Sequence, residues 1–150
     1  MELSREQLLD VYRKMRRIRA FEEKLSDLVT AGKLGGFLHL YAGQEAVATG
    51  VCAHLDDGDI VCSNHRGHGH CIAKGVDVRG MMAELFGRRT GLCKGKGGSM
   101  HIADFGVGML GANGVVGANI VIAAGAAHAV KLRGHAAEFA RQRAAPSPDM

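Results

Sequence analysis

Residues 60–71 read IVCSNHRGHGHC, and this stretch decides how the chain is organised. Residues 60–63 have the length and the apolar character of a buried strand, and a turn signal at residues 56–59 precedes them. A glycine-rich basic loop, residues 63–71 (the first loop), then leaves the end of the strand. Ligands of open α/β sheets gather at the carboxyl ends of the strands. The stretch therefore predicts an α/β fold with a binding site at the first loop.

A second glycine-rich basic loop, residues 93–101 (the second loop), reads CKGKGGSMH. Glycine lets the chain approach an anion closely, so that backbone N–H groups and cationic side chains can contact it. We interpret the two loops as an anion cradle in which Arg66 is a bidentate phosphate ligand and Lys94 and Lys96 add charge. The second loop does not match the Walker pattern, because glycine, and not Ser or Thr, follows Lys96.

The first loop also carries side chains of the metal-ligand type at short spacing, namely His65, His68, His70 and Cys71. Arg66 lies inside this cluster, where a fixed positive charge opposes a dication. No second ligand pair follows at the spacing of a zinc finger. We therefore prefer the anion site to a metal site here.

Capping signals predict two helices. Ser4 and Gln7 form a capping-box pattern ahead of an apolar helical period, and Gly32 is placed to end that helix. Asp77 is an N-cap residue ahead of a second helix, which Gly87 closes.

The C-terminal half predicts a long irregular connection over residues 102–117 and a buried helix of small residues over 118–133, which Gly134 ends. Glu45 and Glu84 lie in separate helical segments, and we interpret them as surface or capping groups. The sequence contains no Gly-x-Ser-x-Gly elbow and no paired carboxylates for general acid and base work. It therefore does not indicate nucleophilic or acid–base catalysis.

Length and composition indicate one ordinary globular domain: 150 residues, 47% of them hydrophobic, with a net charge of +4. Four cysteines occur without a C-x-x-C pair, and no signal sequence precedes them. No apolar run approaches the ~18 residues that a membrane span needs. We expect a cytoplasmic protein with reduced thiols and no membrane segment.

Four motifs in order resemble one family: FLHLYAGQEA at 37–46, HRGHG at 65–69, GKGGSMH at 95–101 and GVVG at 114–117. They are similar to the alpha subunit of the thiamine-diphosphate-dependent dehydrogenase component of 2-oxo acid dehydrogenase complexes. The likeness covers residues from about 8 to 134. It implies an incomplete N-terminal part of a thiamine-diphosphate-binding fold, an α/β fold in which helices flank a parallel sheet.

Within that family, HRGHGHCIAKG at 65–75 and GMLGANG at 108–114 most resemble the acetoin dehydrogenase branch. The pyruvate branch usually has tyrosine where this chain has His65. The resemblance therefore implies acetoin as the first substrate, with pyruvate, a 2-oxo acid, as the alternative.

The resemblance also implies site residues. His39 and His65 line the cofactor pocket, Arg66 holds the diphosphate, and Gly114 and Val116 contact the aminopyrimidine ring. It assigns no catalytic residue and no metal ligand to this chain. A flat ring can approach Gly114 because that residue lacks a side chain.

The cofactor set implied is thiamine diphosphate with Mg²⁺. The implied reaction is oxidative cleavage of acetoin, or decarboxylation of a 2-oxo acid, with transfer of the two-carbon unit to a lipoyl group. The implied partners are a beta subunit, in a heterotetramer, and a lipoyl-bearing acyltransferase; no nucleic acid is expected.

The likeness does not extend past Gly134. We expect residues 1–134 to be the family domain and residues 135–150 to be an unrelated, poorly ordered tail. The family's Gly-Asp-Gly motif and its later asparagine, which bind Mg²⁺, do not follow, so we expect a truncated chain that is inactive alone.

A rival interpretation is a basic module that binds nucleic acid or another anion through Arg66, Lys94 and Lys96. Five Phe and two Tyr residues are few for the stacking platforms that bind single strands.

Overall fold

The computed structural model describes residues 3–144, with side chains for residues 3–134. The helices and strands of this part follow in the order α1 (Arg5–Thr30), α2 (Glu45–Cys52), β1 (Val61–Cys62), α3 (His68–Lys74), α4 (Val78–Leu85), β2 (Met109–Gly111) and α5 (Ala118–Ala144). A 3₁₀ helix, Phe105–Val107, precedes β2. The chain is thus rich in helix and carries a small sheet, which is compatible with an incomplete α/β fold.

Local capping signals define α1 as the sequence predicts. The N–H of Gln7 donates to Ser4 Oγ over 3.2 Å, and the N–H of Ser4 donates to Gln7 Oε1 over 2.8 Å, so the capping box is complete. The helix ends at Thr30, and Gly32 follows with φ +65°. The predicted start and end of α1 are therefore confirmed.

The cap of α4 is confirmed as well. The Asp77 carboxylate accepts hydrogen bonds from the N–H groups of Arg79 and Gly80 over 3.3 Å and 2.8 Å. Gly87, with φ +64°, lies two residues beyond the last helical residue.

The predicted strand is present but shorter, and it pairs with a strand that the sequence did not indicate. β1 and β2 are parallel, with Val61 opposite Met109 and Cys62 opposite Gly111. β2 lies inside residues 102–117, which were predicted to be irregular, and that prediction is wrong there. The reason is that a three-residue strand beside glycines has no periodicity of its own and forms through its distant partner.

The second half of the first loop is helical, contrary to prediction, because α3 already begins at His68. Glycine has low helix propensity, but close packing overrides it here. A Cβ on Gly69 would overlap the ring of Tyr41, and a Cβ on Gly67 would lie 2.7 Å from Ala112 Cβ. These glycines therefore let α3 sit directly against its neighbours.

One hydrophobic core joins α1, α2, α3, α4 and the sheet. Its fully buried members include Ile18, Leu25, Ala48, Cys71, Met81, Ile102 and Met109. The apolar residues in the first half of α1 lie outside this core, since Leu8 and Tyr12 are 54% and 60% exposed.

Helix α5 departs from prediction in two ways. It passes through Gly134 and ends at Ala144, because the alanine-rich sequence that follows favours helix and one glycine costs only about 1 kcal/mol. It is also not buried: Ile120, Val121 and Leu132 are 72%, 75% and 57% exposed, since the helix contacts mainly β1 in the described part of the chain. The rest of the expected tail, residues 145–150, lies outside the described residues, and the division of the chain at residue 134 stays a prediction.

The structure also bears on the cysteines and on membrane-spanning segments. Cys52, Cys62, Cys71 and Cys93 are all free thiols. Among the helices described, none is both long enough and apolar enough to cross a membrane. The cytoplasmic location stays a prediction.

Candidate functional site

The structure brings His39 and His65 together. His65 follows β1, and His39 lies in the segment between α1 and α2. Their rings meet edge to face, with centroids 5.0 Å apart and an interplanar angle of 89°. Both Nδ1 atoms are buried, and neither has a hydrogen-bond partner among the described atoms. Because buried polar atoms are rarely left unpaired, the histidine pair has spare capacity for a ligand.

Arg66 ties the first loop to the segment that carries His39. Its Nη1 donates to the carbonyl oxygen of Leu40 over 2.5 Å, and its backbone N–H donates to Asn64 Oδ1 over 3.1 Å. A guanidinium has five N–H donors, and the contact with Leu40 uses one of them. The remaining donors give this partly buried cation a fork for an anion next to the histidine pair.

Gly114 reaches the same region through the segment that follows β2. The N–H of Asn113 donates to the carbonyl oxygen of Ser63 over 3.1 Å, which lays this segment along the first loop. A Cβ on Gly114 would lie 3.6 Å from the ring of His101 and 3.7 Å from Met100 Sδ. Gly114 therefore forms a wall together with His101.

Val116 is not gathered with the others in the same way, because its residue is 69% exposed. The predicted set thus divides into a central group and a peripheral member. His39 and His65 are in contact and Arg66 follows His65 directly, Gly114 follows the residue that pairs with Ser63, and Val116 lies on the surface.

The second loop is an anion cradle, but its anion belongs to the chain. The backbone N–H groups of Cys93, Gly95, Gly97 and Gly98 donate to the carboxylate of Glu84 over 2.7–3.2 Å. Glu84 is 1% exposed, so its assignment as a surface or capping group is wrong. Burial acts to raise the pKa of Glu84, but the four backbone hydrogen bonds outweigh it and the pKa is lowered.

The lysines of the second loop do not converge on this anion. Lys94 and Lys96 are both exposed, while Arg66 is partly buried against Leu40. The cations of the rival basic-module interpretation therefore differ in burial, and that interpretation stays untested.

A buried hydrogen-bonded chain links α1, α3 and the second loop. His68 Nδ1 pairs with Glu22 Oε1 over 2.9 Å, and His68 Nε2 pairs with Ser99 Oγ over 2.9 Å. Glu22 and His68 are 0% exposed and Ser99 is 6% exposed. Glu22 was not among the predicted residues, although its position among Ile18, Phe21 and Leu25 on the buried face of α1 was a usable signal.

His70, the other histidine of α3, belongs to a second hydrogen-bonded network. His70 Nδ1 pairs with Ser63 Oγ over 2.8 Å, and His70 Nε2 lies 3.4 Å from the hydroxyl of Tyr41. Burial lowers the pKa of His70 and raises the pKa of Cys71 to about 12. His68 and His70 therefore serve separate networks. Among the described residues, no group of three or more His, Cys, Asp or Glu side chains is arranged to hold a metal ion.

Glu45, predicted to be a surface or capping group, is not on the surface, and it joins α1 to α2. It is 7% exposed, and its Oε1 accepts from Arg19 Nε over 2.7 Å. Both carboxylate oxygens also accept from the N–H of Gly43 over 3.1 Å. The hydrogen bond from Arg19 is the main reason that the pKa of Glu45 falls to about 2.

Comparison with known proteins gives one family. The sequence model of the family described as "Dehydrogenase E1 component" matches residues 13–140. The alpha subunit of acetoin:2,6-dichlorophenolindophenol oxidoreductase from Bacillus subtilis is 62% identical over 133 residues, which cover 89% of this chain and 40% of that protein. The subunit of the same name from Cupriavidus necator is 58% identical over 134 residues, again 89% of this chain and 40% of that protein.

A relative whose name gives another substrate is similar at a lower level of identity. The alpha subunit of the pyruvate dehydrogenase E1 component from Rhizobium meliloti is 49% identical over 134 residues, which cover 89% of this chain and 38% of that protein. The chain thus spans about 40% of the length of the curated relatives it matches.

Proposed function

Because this chain belongs to the dehydrogenase E1 component family, we propose that it forms part of the alpha subunit of a thiamine-diphosphate-dependent oxidoreductase that cleaves acetoin. The observation that supports acetoin as the substrate is a difference in sequence identity. The chain is 62% and 58% identical to two acetoin oxidoreductase alpha subunits, against 49% to a pyruvate dehydrogenase alpha subunit. Pyruvate is the second candidate.

The chemistry of the site residues fits thiamine diphosphate. The cofactor has an anionic diphosphate and a flat heteroaromatic ring with hydrogen-bonding nitrogens. Arg66 offers free guanidinium donors to the first, and the unpartnered Nδ1 atoms of His39 and His65 offer hydrogen bonds. Gly114 has no side chain to obstruct the ring.

When bound, thiamine diphosphate supplies a centre that stabilises a carbanion formed from a carbonyl substrate. The chain's own contribution is to orient and neutralise. Arg66 balances the diphosphate charge, the histidine pair fixes the cofactor by hydrogen bonds, and Gly114 admits its ring. Val116 offers an exposed apolar contact at the rim.

For Mg²⁺, unlike for thiamine diphosphate, the described residues include no group of side chains suited to hold it. Any Mg²⁺ that accompanies the diphosphate would need ligands other than a cluster of these side chains. We therefore assign no role in the reaction to a metal bound by this chain.

The proposed assembly contains a beta subunit, in a heterotetramer, and delivers its two-carbon unit to a lipoyl-bearing acyltransferase in the cytoplasm. The chain alone spans about 40% of its relatives. We therefore propose that the 150-residue chain is inactive by itself and binds thiamine diphosphate weakly.

A chimera tests the proposal. Residues 13–134 replace the aligned part of the Bacillus subtilis alpha subunit, and the hybrid is produced with the other subunits of that enzyme. We expect reduction of 2,6-dichlorophenolindophenol that depends on acetoin and on thiamine diphosphate. Arg66→Ala should raise the thiamine diphosphate concentration that this activity requires, whereas Lys94→Ala, in the exposed part of the second loop, should leave that concentration unchanged.

The alternatives give distinct results. Dye reduction with pyruvate but not with acetoin would replace the substrate and keep the family chemistry. If the hybrid assembles correctly and its rate of dye reduction does not depend on added thiamine diphosphate, the proposal is contradicted.

A further inference from the structure

The carboxylate of Glu84 fills the second loop completely. Its Oε2 accepts from the N–H groups of Cys93 and Gly95, each over 2.8 Å, and its Oε1 accepts from those of Gly97 and Gly98 over 2.7 Å and 3.2 Å. A carboxylate offers only acceptor sites, so four convergent donors match the ionised form and no other state of this side chain.

The backbone of the second loop is shaped for this one anion. Lys94, Gly95 and Gly98 have φ values of +59°, +77° and +61°, which turn successive N–H groups to one side as in an anion-binding nest. The loop is also closely packed, since a Cβ on Gly95 would lie 2.5 Å from the carbonyl carbon of Gly87. An external anion has no place in the loop while Glu84 occupies it.

The second loop also fixes the residue that adjoins Gly114. Cys93 Sγ donates to the carbonyl oxygen of His101 over 3.4 Å, and a Cβ on Gly97 would lie 2.6 Å from that same oxygen. The ring of His101 lies beside Gly114, 3.6 Å from the position that a Cβ on Gly114 would take. Hydrogen bonds therefore lead from Glu84 through Cys93 to His101, whose ring adjoins Gly114.

We propose that Glu84 is a positioning residue: its carboxylate holds residues 93–98 in the conformation that sets His101 against Gly114. It acts as an internal anion, so a small free carboxylate can take its place when the side chain is removed. The role of Gly114 in a cofactor site rests on the proposed function, but the contact between Glu84 and the loop does not.

The experiment measures nuclear magnetic resonance spectra of the full 150-residue chain carrying Glu84→Ala. We expect the amide signals of Gly95, Gly97 and Gly98 to shift and exchange faster with solvent, and the ring signals of His101 to move. Sodium formate should restore the wild-type positions. Formamide, which has similar size and no charge, and sodium chloride at equal ionic strength should not.

Asp77→Ala is the matched control because it removes the exposed N-cap of the same helix, α4, without touching the second loop. It should leave the signals of Gly95, Gly97, Gly98 and His101 unchanged. If Glu84→Ala does not fold, Glu84→Gln gives the second test, since its amide group presents donors to the loop N–H groups. It should shift the same signals, and formate should not restore them because the amide fills the loop.

Wild-type signals in either folded variant would overturn the proposal. Equal restoration by formate and formamide would also overturn it, because filled volume and not charge would then hold the loop. Adding thiamine diphosphate to the wild-type hybrid subunit tests the cofactor site separately from the role of Glu84. If the His65 signal does not move there, while formate still restores the signals of the Glu84→Ala chain, the cofactor site is rejected and the role of Glu84 is kept.

Discussion

His68 gives a sharp test of how the interior is held together. Replacing His68 by alanine leaves the carboxylate of Glu22 and the hydroxyl of Ser99 without their partner, and Glu22 Oε2 already lacks one among the described atoms. Glu22 and His68 are both 0% exposed, so the carboxylate that loses its partner stays buried in the core. Removing one member of a buried pair of this kind costs about 3–5 kcal/mol.

That loss is large against a typical stability of about 5–15 kcal/mol for a whole domain. Urea unfolding followed by circular dichroism should therefore show His68→Ala with a clearly lower midpoint. His54→Ala is the control, because the exposed side chain of His54 pairs, among the described residues, with just the carbonyl oxygen of Gly50; we expect a change within about 0.5 kcal/mol.

Glu22→Gln refines the same test. The amide group can still pair with His68 Nδ1, so this variant should lose much less than His68→Ala. If His68→Ala unfolds at the same urea concentration as His54→Ala, the buried network does not stabilise the chain and the reasoning is refuted.

Three further predictions follow from charges and exposed surface. Because the pKa of Glu45 is lowered to about 2, the pair with Arg19 should stabilise the fold above the ordinary carboxylate pKa and lose this contribution as pH falls from about 4.5 towards 2. In urea unfolding, Glu45→Gln should therefore lower the midpoint at pH 6 and change it little near pH 2, and solvent screening at the partly exposed Arg19 side chain limits the size of the effect. Ile120→Gln combined with Val121→Gln should reduce self-association in sedimentation velocity, because both side chains expose apolar surface on α5. Single-stranded oligonucleotides should not bind with the steep salt dependence of a phosphate-binding module, and Lys94→Ala should make no difference.

Each of these three predictions can be contradicted by a specific result. A cost for Glu45→Gln that does not vary with pH would reject the ionic role of the pair. Unchanged sedimentation would show that α5 does not drive association. Strong salt-dependent binding that Lys94→Ala weakens would favour the basic module.

The features that sequence reasoning found are local. The capping box of Ser4 and Gln7 and the cap at Asp77 depend on donors two or three residues away, so the pattern contains both partners. The strand at residues 61–62 was found from its apolar residues and its preceding turn. These signals need no knowledge of the tertiary fold.

The features that were missed join distant parts of the chain. Glu84 meets donors 9 to 14 residues away, and Glu22 meets His68 across 46 residues. A glutamate in a helix is usually a solvated residue, so its type alone indicated the surface. The glycines of the second loop did indicate an anion, but they could not tell a bound ligand from a carboxylate of the same chain.

The proposed cofactor site depends on Arg66 more than on any other residue. In the purified hybrid subunit assembly, thiamine diphosphate is titrated by calorimetry into the wild-type hybrid and into its Arg66→Ala and Lys96→Ala variants. Loss of charge-assisted hydrogen bonds worth about 1.5–3 kcal/mol should weaken binding to Arg66→Ala by roughly 10- to 100-fold, while Lys96→Ala should bind within about twofold of the wild-type hybrid. Equal affinity of Arg66→Ala and the wild-type hybrid would remove the first loop from the cofactor site and contradict the account.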